Sequence, residues 1–203
     1  MRSVLSIERK RFWMFSGIGY TALAVVISLL FFTGTVFAAF PLTGIGGFVI
    51  AADKITGTGF KLYPQIGETS EKSVWPQAGV DLATAEIENL NLSKELDVSK
   101  ELGSYGIYKV IVEITASPEV NGNNLKLSIS GLQADMVEFN NLNVKESKSD
   151  SALNKIGMTA PGITLIKPEL NTHSLLAQSI SLPSMKLKIK AFDDQGNLIG
   201  GDF

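Results

Sequence analysis

Ala52-Asp-Lys-Ile-Thr-Gly-Thr-Gly-Phe-Lys-Leu62 places apolar residues three, eight and ten positions after its first alanine, at Ile55, Phe60 and Leu62. The same offsets from Ala134 give Val137, Leu142 and Val144, and from Ala177 they give Ile180, Met185 and Leu187. From Leu82 they give Ala85, Leu90 and Leu92. A flat strand turns successive side chains to opposite faces, so the offsets of three and eight point opposite ways. One extra residue between them, a β-bulge, returns both halves to one face. Gly57 and Gly59, Asn140 and Asn141, and Pro183 stand where such a bulge falls. One reading is four long, bent strands that build an elongated trough or solenoid with an apolar groove. The plainer reading is chance matching in a chain that is 45% hydrophobic. The starting points are irregularly spaced, which is not a clean repeat. An ordinary antiparallel β-sandwich or roll therefore ranks ahead of the trough.

Either way the fold class is mainly β. Gly47–Leu62, Leu82–Leu92, Ile107–Ala116, Leu125–Val144 and Leu175–Ala191 are rich in alternating Ile, Val, Leu and Phe. Lys186-Leu-Lys-Ile-Lys190 suits a half-exposed or edge strand. Helical signal is limited to Asp97–Leu102, with Asp97 as cap and Gly103 as stop, and more weakly to Ser151–Ile156. Lys145–Thr172 reads as a long connection containing Pro161, Gly162 and Pro168. Ala191–Phe203 reads as strand, turn and strand around Asp194, Gly196 and Asn197.

The N-terminal part is different in kind. Arg2, Glu8, Arg9, Lys10 and Arg11 are followed by no charged residue from Phe12 through Ala52. Crossing the hydrocarbon layer takes about 20 apolar residues, and Phe12–Ala39 supplies them. The basic cluster ahead of this run orients the N-terminus to the cytoplasm and the remainder outside. The expected organisation is a basic tail at 1–11, a transmembrane signal-anchor helix at 12–39 and an extracytoplasmic β-rich domain at 40–203. Val36-Phe37-Ala38 resembles a cleavage site, so removal of the helix near Ala38, with secretion, is the alternative.

Composition narrows the function. There is no cysteine, hence no disulfide, thiolate metal site, catalytic thiol or lipidated cysteine. Four of the 18 basic residues and one of the 20 acidic ones precede Phe12, leaving a formal charge of −5 beyond it. That disfavours nucleic acid as a partner. The one histidine, His173, reads as lying in a polar loop after Asn171 and Thr172, and no Gly-x-Ser-x-Gly elbow occurs. Asp193, Asp194 and Asn197 do not match the spacing of a calcium loop and are better read as the hairpin turn. Glu86, Glu88, Glu113 and Glu138 read as solvent faces of strands. No catalytic, cofactor-binding or metal residue is assigned.

Gly47-Phe-Val-Ile-Ala-Ala-Asp-Lys-Ile-Thr-Gly-Thr-Gly-Phe60 resembles a stretch of an uncharacterised bacterial family common in actinobacteria, whose members are often labelled cholesterol esterase. The resemblance continues weakly through Ala85–Leu92, Ala134–Val144 and Ala177–Leu187. It implies a membrane or exported protein of unknown function. No position matches a nucleophile motif, so no catalytic residue carries over. The function expected is a non-enzymatic, membrane-anchored envelope protein whose β domain binds a lipid, an envelope polymer or a neighbouring membrane protein. A lipid-ester hydrolase and a scaffolding subunit are the alternatives. For lipid contact the candidate residues are Phe60, Leu62, Phe139, Leu142, Met185 and Leu187, whose plainer role is core packing.

Overall fold

A computed structural model describes residues 45–201. The anchor expected at 12–39 lies outside them, and among the described residues no helix is long and apolar enough to cross a membrane. The strands are β1 (Phe48–Ala51), β2 (Lys54–Gly67), β3 (Trp75–Asp97), β4 (Lys109–Gln133), β5 (Met136–Asn140), β6 (Asn143–Glu146), β7 (Ile156–Ile166), β8 (Glu169–Leu176), β9 (Ser179–Ser181), β10 (Lys186–Phe192) and β11 (Leu198–Gly200). Every pairing among them is antiparallel.

The described strands form one sheet, not the two of a sandwich. Several of them are pieces of longer, creased strands. Register shows this: β1 and β2 run against β3 in one frame, from Val49 opposite Ser93 to Gly67 opposite Trp75. They run against β8 and β7 in one frame as well, from Phe48 opposite Thr172 to Leu62 opposite Met158. The sheet then closes. β3 pairs with β4, β4 with β8, β8 with β1, and β1 with β3 again.

Closing a sheet this tightly requires sharp corners, and these have a chemical signature. Six corner positions take a left-handed backbone: Gly59 (φ 63), Asn89 (φ 52) and Asn124 (φ 48) within strands, and Asn141 (φ 50), Lys167 (φ 45) and Ser184 (φ 48) in the breaks between them. Glycine and asparagine are the residues that tolerate this region best. Each such residue switches the side-chain parity. Ile55 and Gly57 are buried before Gly59, and Phe60 is buried after it. The apolar set thus stays on the inner face around the corner.

Four of these six positions fall seven residues after Ala52, Leu82, Ala134 and Ala177. They are the places where the spacing of apolar residues asks for a bulge. The other two follow Ser117 and Ala160 at the same distance. The corners mostly leave the ladder in register because neighbouring strands fold along a shared line. Asp53 N–H donates to Glu88 O (3.0 Å), Lys167 N–H to Asp53 O (2.8 Å), and the Asn89 amide to the Asp53 carboxylate (2.7 Å). Only between Glu88 and Leu90 does the β3–β4 pairing slip, opposite Ser117-Pro118. Prolines gather on these lines (Pro118, Pro161, Pro168 and Pro183), where the ladder is interrupted and no N–H is needed.

Lys145–Thr172 is not a long connection, since it contains β7 and the start of β8. Pro161 and Gly162 lie within β7 because a corner crosses it there. His173 is in β8 and not in a loop. Leu125–Val144 is divided at Gln133 and again after Asn140, while Ile107–Ala116 continues into the same strand as Leu125. The expected helix at Asp97–Leu102 is a single turn, Ser99–Leu102, and the Asp97 carboxylate accepts from Ser99 N–H (3.0 Å). At Ser151–Ile156 a short 3-10 turn, Ala152–Asn154, leads into β7.

Candidate functional site

The inner face of the rolled sheet encloses a cavity of about 470 Å³. Every side chain lining it is hydrophobic. Its walls come from all parts of the roll: Ile50 from β1, Phe60 from β2, Leu82 and Leu90 from β3, Leu125 from β4 and Ile163 from β7. Small residues make the room. Gly57, Ala85 and Gly122 face one another across β2, β3 and β4. A side chain at Gly57 would stand 2.8 Å from Leu82 Cδ2, and one at Gly122 2.6 Å from Leu125 Cδ1. The two leucines fold over the glycines. Leu132, Val137, Ile180 and Met185 line the cavity and are also exposed, so it opens at the surface.

Of the six residues singled out for lipid contact, Phe60, Leu62, Phe139 and Met185 line this cavity. Phe60 and Phe139 also pack ring to ring, with centroids 5.4 Å apart. Leu142 and Leu187 do not line it. They are 44% and 57% exposed, with Leu187 opposite the wall residue Ile114. The wall residues Leu125, Leu127, Ile163 and Leu170 were not among the candidates. The offsets of eight and ten from Ser117, and of three and ten from Ala160, reach them. The signal is hidden because Ser117 is polar and position eight after Ala160 is Pro168.

The sheet carries its polar chemistry on the other face. Glu113 accepts from Lys190 (2.8 Å) and from the Asn91 amide (3.0 Å). The Lys190 hydrogen bond holds the Glu113 carboxyl below its ordinary range, against the opposing effect of burial. The Asp193 carboxylate is occupied by its own turn, accepting from Asn197 N–H (2.7 Å) and the Asn197 amide (2.9 Å). Gly196 adopts a φ of 82° in that turn. Among the described residues no group of three or more His, Asp or Glu is placed to hold a metal ion.

His173 sits beside Asn171, which is buried, and both of its ring nitrogens are buried without a hydrogen-bond partner. Gly47 (φ 109) packs against this pair. A side chain there would stand 2.6 Å from Asn171 Oδ1 and 3.1 Å from His173 Cε1. Burial, and then the charge of Lys94, push the His173 pKa below its ordinary value of 6.5. A histidine lowered on folding takes up its proton more readily in the unfolded chain. Stability is therefore expected to fall as pH drops below about 6.5, the unfolded value, through the folded value. Chemical denaturation of wild type and His173→Gln between pH 7.5 and 5 checks this: the variant should lose the slope. An unchanged slope would assign the pH dependence to other groups.

Residues 46–195 match a family of unknown function, DUF6230. The chain belongs to this family. No curated protein and no solved structure matches it. In this DUF6230 chain the matched span holds all the strands except β11 and therefore the whole cavity wall.

Proposed function

We propose that this DUF6230 protein is a membrane-anchored envelope protein whose β domain holds the hydrocarbon chain of a lipid. The observation that carries the reading is the cavity of about 470 Å³ with a wholly apolar wall and an apolar mouth. A sugar polymer needs hydrogen-bond partners along its length, and a wall without polar groups would leave its hydroxyls unpaired at a cost of roughly 1–3 kcal/mol each. A hydrocarbon chain has no such demand. An engineered cavity of about 150 Å³ accepts a benzene. On that scale the present volume suits roughly 18 carbon atoms, the length of one long acyl chain. Each buried methylene contributes about 0.8 kcal/mol. The uncharged run at Phe12–Ala39 supports anchorage of the same chain to the bilayer that supplies such lipids.

Native mass spectrometry of the full-length protein in mild detergent, with solvent extraction of the same sample, tests the proposal. The expected result is one lipid per chain and an intact mass that includes Met1–Ala38. A lipid-free protein that also takes up no fatty acid or phospholipid when these are added overturns the lipid reading. A mass beginning near Ala39 removes the anchor and leaves the cavity reading standing.

A further inference from the structure

At one end of the roll β3, β4 and β10 extend past the cavity as a wing. Met185, Leu92 and Ile114 still line the cavity there. Leu187 lies opposite Ile114, which lies opposite Leu92, so all three share the inner face. The next inner row is Ile189, Val112 and Lys94, and the next is Ala191, Val110 and Leu96. Leu187, Ile189 and Leu96 are 57%, 55% and 37% exposed. The inner face thus runs on from the cavity as an exposed surface that is apolar but for Lys94, whose amine donates to Gly47 O (2.7 Å) and Ser70 Oγ (3.4 Å). The other face of the same strands is polar, with Lys186, Lys188 and Lys190 on β10 and Glu113 on β4.

We infer that the wing rests on the lipid bilayer and forms the portal through which a hydrocarbon chain passes into the cavity. The inference rests on the anchored lipid-binding reading above. Two observations commit it to a lipid surface. The first is continuity: Met185, Leu187 and Ile189 carry one apolar strip from the cavity wall to the open end of the wing. The second is chain path. The chain enters the domain at the wing, where Lys94 Nζ donates to Gly47 O (2.7 Å). Nine chain steps lead from Ala39, the end of the hydrophobic run, to Phe48. At about 3.5 Å per extended residue the entry stands within about 30 Å of wherever that run is lodged. The opposite end, at Leu142 and Val144, is also apolar and exposed, but Val144 lies across Met158 from Leu62, and the Gly59 corner separates Leu62 from the entry.

The absence of cysteine makes the test clean. Ile189→Cys, Lys186→Cys and Val144→Cys in the full chain each carry one environment-sensitive fluorophore, in vesicles of neutral phosphatidylcholine with or without brominated acyl chains. The label at 189 is expected to shift to the blue and lose most of its emission to the brominated lipid. Labels at 186, on the opposite face, and at 144, at the other end, should stay aqueous and unquenched. Leu187→Cys repeats the measurement if Ile189→Cys does not fold. Equal, weak quenching at 189 and 186, or stronger quenching at 144, overturns the inference. A blue shift at 189 without quenching also overturns it, because the wing is then covered by protein. Lipid extraction of the same samples separates the two readings. Quenching in a protein that yields no lipid supports the bilayer contact and removes the cavity ligand; extracted lipid without quenching does the reverse.

Discussion

Ala85→Phe is expected to abolish retention of the long-chain lipid proposed for the cavity and to leave the protein folded. Ala85 is 2% exposed and lines the cavity between two glycine-bearing strands. A benzyl side chain takes about the room of a benzene, roughly a third of the space on the 150 Å³ scale. It displaces about six methylenes, worth roughly 5 kcal/mol at about 0.8 kcal/mol each. Tenfold in affinity is about 1.4 kcal/mol, so retention of a long acyl chain should fall far more than tenfold. The lipid-free protein should gain about 0.5–2 kcal/mol from the filled void. Extraction of the purified variant and denaturant titration of its lipid-free form check both parts. Overpacking of a tight core costs about 1–3 kcal/mol instead. A destabilised variant that still holds its lipid would mean that the ligand sits elsewhere.

Gly59→Val should cost about 3 kcal/mol, the upper end for a left-handed position forced on a side chain. Gly59 has a φ of 63°, and a side chain there would stand 2.9 Å from Ala83 Cβ on the neighbouring strand. A β-branched residue is the worst choice for this backbone. For a domain of this size the melting temperature should drop by roughly 6–12 °C. Asn141→Gly is the control. Its φ of 50° suits glycine, so the change should stay within about 0.5 kcal/mol of wild type. Asn141→Val should behave like Gly59→Val. If both valine variants melt with the wild type, the corners are not held by backbone geometry, and the account of how the sheet closes fails.

Much of this fold is legible along the chain because the information is local. Alternation marked the strands, since a half-buried strand must change polarity every second residue. The parity change between Ile55 and Phe60 called for a bulge, and the positions singled out for it include Gly59 and Asn141, with Pro183 next to Ser184. Lys145–Thr172 misled because proline and glycine usually end strands. In this sheet Pro161 and Pro168 lie on corners, where the ladder has no bond to lose. Phe60, Leu62, Phe139 and Met185 were reached as apolar positions, but nothing local distinguished a cavity wall from a filled core.

The sequence by itself determined the β class, the uncharged N-terminal run, the corner residues Gly59 and Asn141 and the absence of cysteine chemistry. Only the tertiary structure decided that one sheet closes on itself, and that the closure leaves an apolar space. The physical reason is distance along the chain. Ile50 meets Leu92 on one side and Leu170 on the other, and no local pattern specifies such partners. A cavity, likewise, belongs to no residue. It is the volume left when side chains from eight strands meet around Gly57, Ala85 and Gly122 without filling the middle.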